Sequence, residues 1–391
     1  MRKKITIFLT MILFLSFAFP KTALAAEEAD SVGIEAPHAL LMEVSTGEIL
    51  YEKDADTPVP PASVTKIMTM LLIFEALEAE KISLEDQITV SEKAASMGGS
   101  QVYLEPNEKQ TVEDLLKCIA IASANDACVV MSEAVSGSEE AFVGKMNERA
   151  KELGMNNTHF VNCNGLDAEG HLVSAKDVAI MSRELLLNHP EVHEYCTIWM
   201  DTITHHTAKG DLEFGLNNTN KLLRQYDYAT GLKTGSTGNA GFCVSATAKK
   251  DGMGLIAVIM NGETSKSRFA DAKTLLNYGY ANYRLYQDTG EDRETLAPVL
   301  VKGGVEQTVK PVYEKEFSYL LMNEENLSDI ERKIELPQEL TAPVAEGQRI
   351  GTLSYYHGNE KLGEIGILAE TAVEKAGYMD CVARVWLAWM M

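Results

Sequence analysis

The 391-residue sequence predicts an α+β protein: an antiparallel sheet with helices, followed by a small β-rich domain and a C-terminal amphipathic helix. Three observations lead there. A strand pair near the start is followed by helical runs and then by three β-prone stretches and a helix, an order that implies one sheet joining strands from both ends of the domain. Beyond residue 290, short apolar stretches are punctuated by Gly, Pro and Asn, as strands of a second unit would be. The final residues carry apolar side chains at three- and four-residue spacing, the mark of one helical face.

Taken in order, the chain opens with Arg2, Lys3 and Lys4, an apolar run from Ile5 to Phe19, and Ala23-Leu24-Ala25, the pattern of a cleaved export signal. Pro20 and Lys21 end that run short of the roughly 20 apolar residues a membrane span needs. His38 to Tyr51 reads as a hairpin turning at Ser45-Thr46-Gly47. After the stiff Pro58 to Pro61 entry, helices are expected over Ser63 to Ala79, Glu113 to Ala122, Asp126 to Val135, Ala141 to Leu153 and Ala175 to Leu187. Gly231 to Thr234, Phe242 to Lys249 and Met253 to Met260 form an antiparallel meander, and a helix over Ser267 to Tyr286 closes the domain.

Gln287 to Glu294 is polar and reads as a linker. Strands are then expected at Pro298 to Val301, Phe317 to Leu321, Lys333 to Leu336, Ile350 to Tyr356 and Gly363 to Leu368. Tyr378, Met379, Val382, Trp386, Trp389 and Met390 share a helical face that suits a membrane interface, the alternative being a helix packed on its own domain. The expected division is a leader over 1–25, a first domain over 26–290, a β-rich domain over 291–368 and an amphipathic helix over 369–391.

Composition limits what the chain does. Removing residues 1–25 takes away four basic and no acidic residues, moving the formal charge from −22 to −26. Nucleic acid is therefore excluded as a partner, because phosphate binding needs a basic face. Cys118, Cys128, Cys163, Cys196, Cys243 and Cys381 form no C-x-x-C pair and no Cys/His cluster of zinc-site spacing, so no metal or organic cofactor is expected. Most lie in apolar stretches and read as buried thiols, although export permits a disulfide.

Three short motifs carry the chemistry: Ser63-Val64-Thr65-Lys66 opening a helix, Ser123-Ala124-Asn125 between helices, and Lys233-Thr234-Gly235 on a strand. Three residues apart at a helix start, Ser63 and Lys66 share a face, so the amine reaches the hydroxyl. A serine hydroxyl is a weak nucleophile until a base takes its proton. Lys66 serves only when neutral, and burial beside a second cation, Lys233, favours that form. Ser123 completes a proton path to a leaving amine, and Asn125 offers an amide to a peptide backbone. Lys233 and Thr234 suit a terminal carboxylate, and Gly235 permits close approach. The backbone N–H groups of Ser63 and Ser236 are the natural oxyanion pair.

With this trio, and with Leu153 to Phe160, Asn164-Gly165-Leu166 and Asn220-Lys221-Leu222-Leu223, nearly the whole chain resembles the serine D-Ala-D-Ala carboxypeptidases, the low-molecular-mass penicillin-binding proteins. The resemblance implies a penicillin-binding/β-lactamase-like catalytic domain that removes the last D-Ala from peptidoglycan stem peptides through an acyl-Ser63 intermediate. It also implies that β-lactams acylate the same serine, and that the enzyme works at the outer face of the cytoplasmic membrane. Arg268 sits where relatives often place a carboxylate-orienting arginine, the alternative being a solvated charge at a helix start. Ser236 departs from relatives that often carry histidine or another polar residue there. Two rivals remain: a class A-like β-lactamase, which lacks support because the E-x-x-L-N pattern is missing from residues 156–177, and a catalytically silent cell-wall binding protein, against which the intact Ser63, Lys66 and Lys233 count.

Overall fold

A computed structural model describes residues 32–207, 210–322 and 325–390; the expected leader lies outside them. A five-stranded antiparallel sheet forms the centre, in the spatial order Ile49–Lys53, His38–Glu43, Met253–Gly262, Gly241–Lys250, Ala229–Thr237. The N-terminal hairpin thus pairs with the last strand of the meander, Leu40 opposite Val258 and Met42 opposite Ile256, as the element order predicts.

Both faces of that sheet are covered, which explains why the Met253–Gly262 strand is apolar almost throughout. Successive side chains point to opposite faces. Ile256, Val258 and Met260 face the main helical core, whereas Leu255, Ala257 and Ile259 face a smaller core closed by Phe269, Ala272, Leu275 and Leu276 of the Ser265–Asn282 helix. The Lys66–Glu78 helix runs through the larger core and is buried on nearly every side, so its lack of a polar face follows from its central position.

The Ser265–Asn282 helix starts at a capping box, with the Thr264 hydroxyl taking the Ser267 N–H and Ser267 reaching back to the Thr264 N–H. It ends earlier than the sequence predicts. Tyr283–Asp288 is a strand, paired antiparallel with Phe317–Met322. Nor is Gln287 to Glu294 a loose connection. The buried Asp288 carboxylate accepts from Tyr355 Oη (2.8 Å), Arg293 Nε (2.9 Å) and Arg332 Nη1 (3.2 Å), tying the segment into the C-terminal sheets. Those sheets have four strands built around Arg349–His357 and Glu360–Ala369, and three built around Val299–Lys302.

Tyr378–Met390 is helical. Trp386 and Trp389 are 61% and 84% exposed, and Tyr378, Met379 and Met390 are similarly open, so the described residues leave this apolar face largely uncovered. The Met200–Thr207 and Gly210–Asn217 hairpin, which the sequence reading did not identify, is tied to the Glu108–Gln110 segment: Gln110 Nε2 donates to the Thr204 carbonyl (2.8 Å), and His205 Nδ1 lies 2.8 Å from Glu108 Oε1.

Candidate active site

The three motifs converge. Ser63 lies in a tight 3₁₀ turn, Ala62–Thr65, that feeds directly into the Lys66–Glu78 helix. Lys66 Nζ is 3.0 Å from Ser63 Oγ and also bonds Asn125 Oδ1 (2.7 Å) and the Asn164 carbonyl (2.6 Å). Asn125 Nδ2 donates to the Gly98 carbonyl, which fixes the oxygen toward the lysine. Of the three partners of Lys66, two are oxygens with no proton to give. A neutral amine would spend its two N–H groups on them, leaving its lone pair for the Ser63 hydroxyl.

On the opposite wall, Lys233 Nζ donates to Ser123 Oγ (2.9 Å) and to the Thr234 carbonyl (3.2 Å). Both lysines are fully buried. Burial lowers the pKa of Lys66 below the ordinary lysine value. Burial first, and then the charge of Lys66, lowers Lys233 to about 7. Thr234 Oγ1 shares a hydrogen bond with Thr219 Oγ1 (2.7 Å). Ser236, exposed, follows Gly235 on the same strand.

Packing gives a further reason for glycine at position 235. A Cβ there would come within 2.7 Å of the Ser63 N and 3.0 Å of the Val64 N, so the strand packs flush against the nucleophile's own turn. Asn125, expected to face substrate, has both ends of its amide engaged within the protein and joins Lys66 to the Gly98 segment. Arg268 is not a solvated charge. It is 6% exposed, donates through Nη1 to the carbonyls of Gly235 (2.8 Å) and Cys243 (3.0 Å), and lies over the Phe269 ring, bracing the back of the Lys233-Thr234-Gly235 strand. Burial lowers its pKa to about 10.

Four participants carry no role in the sequence reading. The Asn164 carbonyl anchors Lys66, and Gly165 (φ 88°) abuts Ala62 so closely that a Cβ would lie 1.9 Å from the Ala62 oxygen. His171 accepts the Val161 N–H at Nδ1, so its Nε2 carries the proton and donates to Thr65 Oγ1 (2.8 Å), inside the first motif. Burial lowers the pKa of His171 to about 4, keeping it neutral. The Asp126 carboxylate, next to Asn125, holds the backbone N–H groups of Val102 and Leu104. All six cysteines are free; five are buried, and burial raises the pKa of Cys128, which lies near the two lysines, to about 11. No cluster of three or more metal-ligating side chains occurs among the described residues.

Comparison with known proteins agrees with this geometry. The D-alanyl-D-alanine carboxypeptidase family matches residues 23–264, and the C-terminal domain family of penicillin-binding protein 5 matches residues 291–375. The D-alanyl-D-alanine carboxypeptidase DacF of Bacillus subtilis (strain 168) is 40% identical over 392 residues, spanning 100% of this chain and 99% of the relative. Penicillin-binding protein 5 from Haemophilus influenzae superposes with a TM-score of 0.73 at 29% identity, covering 88% of this chain and 98% of that one. Penicillin-binding protein D2 of Listeria monocytogenes, in an ampicillin-bound crystal structure, gives a TM-score of 0.56 at 33% identity over 63% of this chain and 98% of that one. With its three motifs gathered around one buried Ser–Lys pair and both of its domains matched, the chain belongs to the D-alanyl-D-alanine carboxypeptidase family.

Proposed function

We propose that this chain is a serine carboxypeptidase that removes the terminal D-Ala from peptidoglycan pentapeptides, and that β-lactams acylate the same serine. The observation that carries the reading is the Lys66 Nζ to Ser63 Oγ contact of 3.0 Å, with the amine's other partners fixed. Neutral Lys66 takes the Ser63 proton as Oγ bonds the carbonyl carbon of the penultimate D-Ala. Charge developing on the carbonyl oxygen falls to the backbone N–H groups of Ser63 and Ser236. Their neighbourhood is supported by the contact between Gly235 and the Ser63 turn.

As the C–N bond breaks, the proton passes to the departing amine, with Ser123 on the path from Lys66. Ser123 holds φ of 62°, a left-handed conformation costly for serine, which orients its hydroxyl against Lys233. Lys233, Thr234 and the charge of Arg268 behind them receive the terminal carboxylate, and Asn125 lines the peptide side of the cleft. Water then attacks the ester with Lys66 again as base, returning Ser63 and releasing the shortened peptide. In a β-lactam the broken amide belongs to a ring, so the leaving group stays attached to the acyl group. Release of D-alanine from diacetyl-Lys-D-Ala-D-Ala by the wild-type chain, abolished in Ser63→Ala, is the expected result; retained release in Ser63→Ala would refute the nucleophile assignment.

We assign the chain to the outer face of the cytoplasmic membrane. The signal pattern of residues 1–25 supports export. The apolar face of Tyr378–Met390, with two exposed tryptophans, supports interfacial attachment; no described helix is long and apolar enough to cross a membrane. Deleting 378–391 should release the protein from membranes in a flotation assay, and full retention would contradict the anchor.

A further inference from the structure

Among the described residues, four that are neither Gly, Asn nor Asp hold left-handed backbone: Ala62, Glu80, Tyr103 and Ser123. Glu80 lies in an exposed turn at the end of a helix. Ala62 precedes the nucleophile and Ser123 is the second motif. Of the two that the reaction described above does not use, Glu80 and Tyr103, the aromatic one holds φ 64°. An aromatic residue in this region is strained, and strain of this kind persists where surrounding contacts impose it.

The imposing contact is the Asp126 carboxylate, which accepts the N–H groups of Val102 (3.1 Å) and Leu104 (3.2 Å), on either side of Tyr103. Val102 and Leu104 turn their side chains into the core, and the Tyr103 ring is left 65% exposed, edge-on to Phe214 with centroids 6.0 Å apart. Each partner is tied to one wall of the cleft. Three residues before Tyr103, the Ser100 carbonyl accepts the Asn125 N–H at 2.7 Å, so Tyr103 Cα lies within about 10 Å of Ser100 Cα. Phe214 belongs to the hairpin strand that leads to Thr219, whose hydroxyl touches Thr234. Leu212, two residues along the same strand, is 66% exposed.

We propose that Tyr103 and Phe214 form an aromatic subsite at the rim of the cleft that takes the aliphatic side chain of the residue preceding the two D-alanines. The proposal rests on the carboxypeptidase reading. The bonds that break and form are unchanged; the subsite supplies binding and selectivity. Truncating Tyr103 to Ala keeps the Cβ, and with it the backbone strain, while removing the ring; being largely exposed, the ring contributes little to the core.

The test compares kcat/KM for diacetyl-Lys-D-Ala-D-Ala with that for acetyl-Gly-D-Ala-D-Ala, which shares the backbone and lacks the side chain. In the wild-type chain the lysyl peptide should be favoured. In Tyr103→Ala the ratio should fall by about tenfold, carried by KM, and Tyr103→Phe should restore it. An unchanged ratio in Tyr103→Ala, even if both rates drop together, would overturn the subsite and leave Tyr103 a structural residue. A wild-type chain that releases no D-alanine from either peptide would instead refute the carboxypeptidase reading, and this proposal with it.

Discussion

Replacing Gly165 with Ala should disable the nucleophile while leaving the chain folded. The added Cβ would stand 1.9 Å from the Ala62 oxygen, 2.4 Å from its carbonyl carbon and 2.9 Å from the Ser63 N, where real Cβ atoms come no nearer than 3.0 Å. The two segments must part by roughly 1 Å, and displacement of that size between reacting groups costs about 100-fold in rate. Holding an L-residue at φ 88° adds about 1–2 kcal/mol of strain. Lys66 is bonded to the neighbouring Asn164 carbonyl, so the displacement separates the base from the hydroxyl it serves. Acylation by a fluorescent penicillin, followed in time, should slow about 100-fold with cooperative unfolding retained. Gly154→Ala is the control: it has a similar φ of 75° but no atom within 4 Å of the added carbon, so it bears the strain without the clash and should acylate normally. A Gly165→Ala protein that acylates within about threefold of the wild type would refute the reasoning.

Further outcomes follow from the buried charges. The kcat/KM profile should be bell-shaped: the acid limb is proton loss from the buried lysine pair, which frees Lys66 as base, and the alkaline limb is loss of the remaining charge at Lys233; a flat profile from about pH 5 to 10 would contradict a lysine base. His171 should make the fold acid-sensitive: its pKa is about 4 when folded against an ordinary 6.5, so between these values the unfolded chain binds more protons and stability falls as pH drops, by up to roughly 3 kcal/mol. Urea unfolding at pH 7.5 and 5 should show about 2 kcal/mol of that loss in the wild type and a smaller one in His171→Gln; equal losses would contradict it. Asp288→Ala leaves the buried Arg293 guanidinium without its carboxylate and should cost about 3 kcal/mol, and a cost below about 1 kcal/mol would mean that water replaces the pair.

The three motifs that the fold brings together were legible because each is compact and its polar groups lie in side chains. The sheet was legible from element order, since the hairpin at His38 has an exposed edge until the Met253–Gly262 strand pairs with it. What escaped the sequence depends on long-range contact. Lys66 is held by a backbone carbonyl 98 residues away, and a carbonyl has no residue-type signature. Gly165 reads as a turn glycine until Ala62 is placed against it. Tyr283 to Tyr286 continues a helical apolar rhythm, and only pairing with Phe317–Met322 makes it a strand. Asp288 and Arg293 look like polar linker residues, although each supplies the other's buried partner. The Met200–Asn217 hairpin is largely exposed and rich in Thr and His, so it lacks the apolar alternation that marks a half-buried strand.

Ser63 becomes acylated because Lys66, buried with its pKa lowered and 3.0 Å from Ser63 Oγ, takes the hydroxyl proton. Intact-mass spectrometry after mixing the wild-type, Ser63→Ala and Lys66→Ala proteins with benzylpenicillin tests this most directly. The wild type should carry one long-lived adduct of whole-penicillin mass, mapped to the peptide containing Ser63, Ser63→Ala none, and Lys66→Ala a severely slowed adduct. An adduct that persists in Ser63→Ala, or that forms at the wild-type rate in Lys66→Ala, would contradict it.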